Sequence, residues 1–504
     1  IVQSTTYKYD SSVEMGDLFD LKKSGYFYSR LQNPTCDTVA AKIAMLEGGV
    51  AGMLTGSGQA ANFYAIFNIA GAGDHIVSST AIYGGTYNLF NVTLRKLGID
   101  FTFVSPSATE EELAAAIRPN TKAIFGETIS NPSLEILDIE KFARVAHKAG
   151  VPLIVDNTFA TPINCRPFDF GCDIVTHSTT KYMEGHASTV GGAIVDSGNF
   201  DWTQNNKFPG LTTPDDSYHG ITYTEAFGKG AYITKAVVQL MRDLGAVQSP
   251  NEAFLLNVGL ESLHLRIPRH CENAKKVAAY LKQHPAVTWV ECAMLEGDRQ
   301  YDLAQKYMPR GTCGVVSFGV KGGRAAATTF MDSLELAAIV THVADARTCC
   351  LHPASTTHRQ LTDEQLEACG VDYFDFYLMH AQNETSFAHF KACRAYETAF
   401  QLKAEGKVRH VGISFHDRAE VLEQILTEYP QIEVVQLQFN YLDYDDPAVQ
   451  SRKCYDVCVK HGKPVIVMEP VKGGNLVNLP EEAKAVLDEL HGGSPASYAL
   501  RFAA

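Results

Sequence analysis

Short apolar segments alternate with amphipathic stretches between residues 50 and 200. The apolar segments predict buried strands, and the stretches between them predict helices, with the strands at residues 73–79, 100–104, 123–126, 152–155 and 174–176. Apolar strands that alternate with helices are typical of a mostly parallel sheet covered on both faces. The expected fold class is therefore α/β, and ligands of such sheets bind where the strands end.

The pattern changes twice after residue 200. An irregular region at 208–220 is followed by helices near 255–279 and a strand at 313–320, which predict a smaller α/β domain. Further strands are predicted at 371–379, 408–413, 434–439 and 464–468, and Asp417 is expected to cap a helix at 417–429. Four repeated β/α units make half of an eight-stranded barrel. A half barrel leaves two edges of its sheet open.

Length and composition describe an ordinary globular protein. The 504 residues, 45% hydrophobic and 20% charged, suit about three domains. We place them at residues 1–245 (a large domain with an N-terminal arm), 246–370 (a small α/β domain) and 371–504 (a partial β/α segment). The net charge of −14 argues against nucleic acid or an anionic membrane as a partner.

The 12 cysteines form no paired CxxC groups, so we expect reduced thiols, no metal site and a cytoplasmic location. No apolar stretch is long enough to predict a membrane span, and no signal peptide is expected. Because Ile1 is not a native start, we expect the first residues to be missing.

One aspartate and one lysine carry the candidate chemistry. Asp156 ends a buried strand, and Lys181 follows the next strand, directly after the hydroxyl residues Ser178 and Thr180 in the run 177–182. Pyridoxal phosphate requires a carboxylate for its ring nitrogen, a Schiff-base amine and donors for its phosphate. Alone, Asp156 could be a strand-end cap and Lys181 a surface lysine, but together they indicate an enzyme that uses this cofactor.

Two further segments are candidates for cofactor binding. In the run from Thr55 to Asn62, small residues lead into a helix, so Gly58 and Gln59 are expected to offer backbone N–H groups to the phosphate. Tight packing is the alternative explanation for these glycines. Tyr83 follows another strand and is expected to stack on the cofactor ring, although an isolated aromatic residue is commonly part of a core.

Several motifs together resemble one family, the Cys/Met-metabolism family of pyridoxal-phosphate enzymes. The resemblance covers residues 1–370 and rests on His177–Lys181 with Tyr182 and Gly185-His186, and on the runs 28–35, 208–220, 259–266 and 352–358. It implies a fold-type I, aminotransferase-like large domain. The run 208–220 is similar to the sulfhydrylase branch of this family.

The resemblance also implies roles for residues that the pattern alone leaves open. Tyr28 and Arg30 are expected to reach the phosphate of a neighbouring subunit, in a homotetramer with shared sites. Glu127 and Asn131 match positions that line the cofactor pocket, whereas the dipeptide Asn131-Pro132 by itself indicates only a loop.

The activity implied is that of a transferase in methionine biosynthesis. Sulfide or a small thiol would replace the acetate of O-acetyl-L-homoserine at Cγ and give homocysteine or methionine, with Lys181 moving protons at Cα and Cβ. The alternatives are a cystathionine γ-synthase, a γ-lyase, or a scaffold that binds the cofactor without turnover.

From residue 371 to Ala504 the chain resembles part of an aldo-keto reductase instead. His380 matches that family's active-site histidine, and Ser414 and Gln436 match contacts to the nicotinamide. The strands that supply its other catalytic residues are missing, so NADPH-dependent reduction is kept only as an alternative. The first resemblance ends before the strand whose arginine binds the substrate carboxylate, and we interpret the junction near Gly370 as a composite or interrupted sequence.

Overall fold

The computed structural model describes residues 1–352, 374–406, 408–447, 449–477, 479–490 and 493–503. The chain separates into two compact units, Ile1–Gln360 and Leu361–Ala504. The boundary expected between residues 245 and 246 falls within the first unit and stays a prediction. The junction near Gly370, positions 353–358 of the motif at 352–358, and positions 371–373 of the predicted strand lie outside the described residues.

A seven-stranded sheet organises the first unit. Its strands are β1 (Ala51–Thr55), β2 (His75–Ser79), β3 (Asp100–Val104), β4 (Thr121–Glu127), β5 (Leu153–Asp156), β6 (Ile174–His177) and β7 (Gly192–Asp196). They lie in the order β1-β7-β6-β5-β4-β2-β3, and all pairings are parallel except the two that β7 makes. The mostly parallel sheet is confirmed, and it brings the carboxyl ends of β4, β5 and β6 together.

The α-helices of this unit are α1 (Ser12–Phe19), α2 (Pro34–Glu47), α3 (Gly58–Phe67), α4 (Gly84–Asn88), α5 (Glu110–Ala115), α6 (Ile139–Lys148), α7 (Thr161–Asn164), α8 (Pro209–Thr212), α9 (Tyr223–Phe227), α10 (Ala231–Lys235), α11 (Arg242–Leu244), α12 (Pro250–Gln283), α13 (Tyr301–Tyr307) and α14 (Gly323–Asp332). Turns of π-helix extend α4 and α10, at Leu89–Leu94 and Ala236–Met241. Among the helices of the described residues, none has the length and apolar character that crossing a membrane requires.

Helix α12 is longer than the helical pattern near 255–279 predicts. The Ser249 side chain accepts a hydrogen bond from the Glu252 N–H, and the Glu252 carboxylate accepts one from the Ser249 N–H. This capping box, with Pro250 at the first position, starts the helix earlier because it satisfies otherwise unpaired N–H groups.

Two small pairs of strands follow α12. Strand β8 (Val287–Glu291) pairs antiparallel with β9 (Ser317–Val320), and β10 (Ala338–Ile339) pairs parallel with β11 (Cys349–Cys350). The strand predicted at 313–320 therefore begins only at Ser317. The predicted residues before Ser317 do not pair with β8, and among them the Gly314 N–H donates a hydrogen bond to the Tyr182 hydroxyl at 2.7 Å.

The second unit contains four parallel strands in sequential order. They are β12 (Phe374–Gln382), β13 (Val408–Phe415), β14 (Val434–Gln438) and β15 (Val465–Met468). The helices are α15 (Glu384–Ala392), α16 (Ala395–Ala404), α17 (Ala419–Glu428), α18 (Ser451–Lys460), α19 (Glu481–Asp488) and α20 (Pro495–Ala503). Repeated β/α units were expected here, and they are confirmed.

The cap predicted for α17 is wrong. The N-cap residue is Arg418, one position after Asp417, and its side chain makes no capping bond. The Asp417 Oδ2 atom instead accepts a hydrogen bond from the Glu384 N–H, at 2.7 Å, in the first turn of α15. A carboxylate can accept a hydrogen bond from any unpaired N–H in the first turn of a helix, provided that packing brings the two together. Asp417 therefore caps α15, and not the helix that follows it in the sequence.

Candidate active site

Strands β4 and β5 end in two acidic residues that lie side by side. Glu127 and Asp156 are register partners on these neighbouring strands. The Asp156 Oδ2 atom accepts a hydrogen bond from Asn62 Nδ2 at 3.2 Å, and Oδ1 accepts one from the Thr158 N–H at 3.0 Å. Neutral donors thus orient the Asp156 carboxylate without cancelling its charge.

Glu127 is buried at the end of β4, and its Oε1 atom accepts the Tyr83 N–H at 2.7 Å. Burial, and after it the charge of Asp156, raises the pKa of Glu127 well above its usual range, although backbone N–H groups of Tyr83 and Asn131 oppose the shift. The raised pKa favours a protonated Glu127, which removes a like charge from beside Asp156.

Lys181 lies in the turn that follows β6. The Ser178 N–H donates to Thr158 Oγ1 at 2.8 Å, which ties this turn to the end of β5. The Thr180 hydroxyl donates to the Gly191 carbonyl oxygen at 3.2 Å and anchors the turn to the start of β7. The Lys181 side chain is partly buried, and burial lowers the pKa of its amine.

The N-terminus of α3 packs against the same turn. The Ser57 side chain accepts the Ala60 N–H at 3.1 Å, and the N–H groups of Gly58 and Gln59 have no partner within the helix. A Cβ atom added to Gly58 would lie 2.6 Å from Ser178 Cβ, so this approach of helix and turn requires glycine.

These residues fit pyridoxal phosphate. Asp156 can face the ring nitrogen and Lys181 the aldehyde, while the N-terminus of α3 and the Ser178 hydroxyl offer donors to the phosphate. The Thr180 hydroxyl, also expected to donate to the phosphate, instead donates to the Gly191 carbonyl oxygen. The Gln59 Oε1 atom is buried with no hydrogen-bond partner among the described residues, which leaves a polar atom for a ligand or water.

Tyr83 stands at the start of α4, and the residue is 41% exposed. A Cβ atom added to Gly85 would lie 2.5 Å from the Tyr83 ring and 2.8 Å from Gln59 Nε2, so both side chains lie over this glycine. A tyrosine exposed to this degree can offer its ring to a planar ligand. Asn131 lies in a turn between the bridged residues Ile129 and Ile136, which confirms the predicted loop.

Tyr28 and Arg30 contact each other, Arg30 also contacts Arg242, and no hydrogen bond among the described residues links either of them to Asp156, Lys181 or the start of α3. Both are exposed, and the Arg30 guanidinium lies 5.3 Å from the centre of the Tyr28 ring. Arg30 also donates a hydrogen bond to the Arg242 carbonyl oxygen. Their predicted contact with the phosphate of a neighbouring subunit stays a prediction.

Sequence reasoning missed three residues of the site. Asn62 and Thr158 donate hydrogen bonds to Asp156. Asn62 ends the run already singled out, one helical turn after Gly58, and Thr158 lies two positions after Asp156. His342 had no signal, because its Nδ1 atom lies 3.4 Å from Lys181 Nζ across 161 positions of the chain.

Comparison with known proteins identifies the family. The sequence profile described as "Cys/Met metabolism PLP-dependent enzyme" matches residues 1–374. The chain belongs to this family. A homocysteine synthase from Schizosaccharomyces pombe is 48% identical over 373 residues, covering 74% of this chain and 87% of that protein. An O-acetyl-L-homoserine sulfhydrylase from Leptospira meyeri is 44% identical over 380 residues, covering 74% of this chain and 86% of the relative.

A solved structure of a related enzyme has the same fold. A Campylobacter jejuni protein described as an O-acetylhomoserine (thiol)-lyase superposes with a TM-score of 0.71 at 37% identity, covering 73% of this chain and 88% of its own. That structure contains N'-pyridoxyl-lysine-5'-monophosphate. The predicted fold class, the predicted enzyme class and pyridoxal phosphate as the cofactor are confirmed.

A second profile, described as "Aldo/keto reductase family", matches residues 277–504, which confirms the resemblance of the second unit. Ser414 and Gln436 are register partners on β13 and β14. The Ser414 hydroxyl lies 3.0 Å from His416 Nε2, and the ring centres of His380 and His416 are 6.2 Å apart. The residues singled out in this unit therefore gather near the carboxyl ends of its strands.

Proposed function

We propose that this protein replaces the acetate of O-acetyl-L-homoserine with sulfide or a small thiol, giving homocysteine or methionine. The observation that carries the proposal is the joining of the Asp156 and Lys181 segments through the hydrogen bond from Ser178 to Thr158. Relatives named for this activity, 44% to 48% identical, support the choice of substrate.

Lys181 moves the protons of this reaction. Its amine takes a proton from the substrate Cα and must release that proton before its lone pair can take a second one from Cβ, after which acetate can leave from Cγ. Burial lowers the pKa of the amine, which makes the neutral, proton-accepting form more accessible near neutral pH. The flanking hydrogen bonds of Ser178 and Thr180 hold the turn, so the flexible lysine side chain moves while its backbone stays in place.

The remaining residues bind and orient. When bound, pyridoxal phosphate supplies an electron sink for the negative charge that forms at the substrate carbon. Asp156 would hold the proton of the ring nitrogen, and the hydrogen bonds that it accepts from Asn62 and Thr158 fix the direction of its carboxylate. The N–H groups of Gly58 and Gln59 would donate to the phosphate, and the Tyr83 ring would stack on the cofactor ring.

Each site is completed by a second subunit in this proposal. Tyr28 and Arg30 are exposed, and their charge and hydroxyl suit the phosphate of a neighbouring copy. We infer a homotetramer, with the free cysteines of the described residues favouring a reducing, cytoplasmic location.

Borohydride trapping with peptide mapping tests the assignment of the cofactor lysine. The unmodified protein should carry a reduced pyridoxyl group on Lys181, and Lys181→Ala should carry none and form no homocysteine. A matched control is Lys148→Ala, which removes an exposed lysine at the end of α6 and should leave labelling unchanged. A label on any lysine other than Lys181 would refute the assignment.

Product analysis separates the proposed reaction from related ones. With O-acetyl-L-homoserine and sulfide, the protein should form homocysteine at a rate that exceeds the release of a keto acid. Keto acid as the main product would instead identify a γ-lyase, and faster turnover with cysteine than with sulfide would identify a cystathionine γ-synthase.

A further inference from the structure

The amine of Lys181 lies at one end of a line of three side chains. Its Nζ atom is 3.4 Å from His342 Nδ1, and His342 Nε2 is 3.7 Å from Asp345 Oδ2. The His342 side chain is 19% exposed and the Asp345 side chain 4%. The line therefore runs from the base of the proposed reaction into the interior of the first unit.

The contact with Lys181 decides which nitrogen of His342 carries its proton. An ammonium group can only donate, so Nδ1 accepts and the ring proton lies on Nε2. Nε2 is buried, has no hydrogen-bond partner among the described residues, and faces the Asp345 carboxylate. At 3.7 Å this carboxylate is too far from Nε2 to accept a hydrogen bond, but its negative charge favours the proton on Nε2 and so leaves Nδ1 as the acceptor.

Arg347 keeps Asp345 charged. Its backbone N–H and its guanidinium donate to the Asp345 carboxylate at 2.6 and 2.8 Å. Burial works against the charge, but these bonds and the charge of Arg347 hold the pKa of Asp345 below its usual range. Burial, and after it the charge of Lys181, lowers the pKa of His342, so the imidazole stays neutral and free to accept.

We propose that His342, backed by Asp345, is a positioning residue that stabilises the ammonium form of Lys181 during turnover. The proposal rests on the function inferred above. When the Cα–H bond breaks, its electron pair stays with the substrate carbon, and its proton forms an N–H bond with the lone pair of Lys181 Nζ. His342 Nδ1 then accepts a hydrogen bond from this ammonium and gains no proton, and Lys181 keeps the proton until it is returned.

Other charged groups also face this line. Glu184 and Arg347 act on His342 with opposite signs, and the Cys349 thiol donates to the His342 carbonyl oxygen at 3.3 Å. Burial raises the pKa of Cys349, so its thiol stays neutral near neutral pH and adds no charge. These neighbours do not change when only the His342 side chain is replaced.

Covalent attachment of pyridoxal phosphate to cofactor-free protein reports on the Lys181 amine without any substrate, because only the neutral amine attacks. We compare the pH dependence of the attachment rate in His342→Phe, which removes the acceptor, with His342→Gln, whose amide oxygen retains it. Loss of a hydrogen bond to a charged group should lower the apparent pKa of Lys181 by about one unit in the Phe variant. The Gln variant should stay near the unmodified protein.

Turnover gives the second measurement. In the loaded enzyme, His342→Phe should lower kcat about tenfold, in line with one pKa unit, and leave KM unchanged, with His342→Gln recovering most of the rate. His264→Gln, an exposed position on α12, serves as the control. If the Phe variant does not fold, the pH dependence of cofactor attachment is measured in His342→Ala, which also lacks the acceptor.

The outcomes separate this proposal from the one on which it depends. An unchanged Lys181 titration in the variant without an acceptor overturns the role of His342. A raised KM with an unchanged titration also overturns it, because His342 would then contact the substrate. If the unmodified protein attaches no cofactor to Lys181, the proposed function itself fails.

Discussion

Replacing Gly58 with alanine tests the phosphate site at the start of α3. The added Cβ atom would lie 2.6 Å from Ser178 Cβ and 2.8 Å from Ser178 Cα, whereas ordinary contacts begin at 3.4 Å. The shortfall is therefore 0.8 Å for Ser178 Cβ, and neither Cβ nor Cα can move away by a side-chain rotation. The first turn of α3 must therefore move back from the turn that carries Lys181.

The magnitude follows from the geometry of hydrogen bonds. An N–H···O bond of about 2.9 Å that lengthens by this shortfall exceeds the range of a hydrogen bond. Loss of one bond to a charged phosphate costs about 1.5–3 kcal/mol. That free energy corresponds to a dissociation constant for pyridoxal phosphate about 10- to 100-fold higher.

Titration of cofactor-free protein with pyridoxal phosphate measures this constant. The matched control is Gly71→Ala, because a Cβ atom added there meets nothing within 4 Å. The crowding in Gly58→Ala should also cost about 1–3 kcal/mol of folding stability, so denaturant unfolding is recorded for both variants without the cofactor. Equal affinity in Gly58→Ala, Gly71→Ala and the unmodified protein would refute the reasoning.

Three other changes test the remaining parts of the site and the fold. Asp156→Asn retains the shape but loses the charge, so kcat should fall about 100-fold or more while absorbance shows nearly full cofactor occupancy; reduced occupancy with normal turnover per site would contradict this role. Mixing Arg30→Ala subunits with Lys181→Ala subunits should restore part of the activity that each variant lacks alone, because a shared site then receives both residues; no recovery in verified mixed oligomers would exclude sharing. Asp196 is buried and its Oδ2 atom has no partner among the described residues, and burial raises its pKa from 3.8 to about 7. The unfolded chain releases this proton near its ordinary pKa and the folded chain only near pH 7, so the contribution to stability is complete at low pH and lost as pH rises. Asp196→Asn should therefore gain stability over the unmodified protein between pH 4 and 8, by about 4 kcal/mol at most, in denaturant titrations; a constant difference across this range would contradict the shift.

Local pattern was enough for much of the first unit. Strand β3 agrees with its predicted bounds, and β6 differs by one residue, because an apolar run between polar segments is read directly from the chain. The proximity of the segments that carry Asp156 and Lys181 could also be predicted, since parallel strands bring their carboxyl ends to one edge.

The errors arise where a distant partner competes for a local group. The strand predicted at 313–320 starts later than expected, and the Gly314 N–H in its predicted first part donates to the Tyr182 hydroxyl. Asp417 accepts a hydrogen bond from the Glu384 N–H and does not cap the helix that follows it. A hydrogen-bonding group is satisfied by whichever partner packing supplies, and sequence neighbours are only the nearest candidates.

The amino-acid sequence alone determined the alternation of strands and helices, the kinds of side chain at the strand ends and hence the chemistry available. The tertiary structure decided which of these side chains meet, including the supports of Asp156 by Asn62 and Thr158 and the contact of Lys181 with His342. Local preferences act over a few residues, whereas these contacts depend on burying a common core that draws distant segments together.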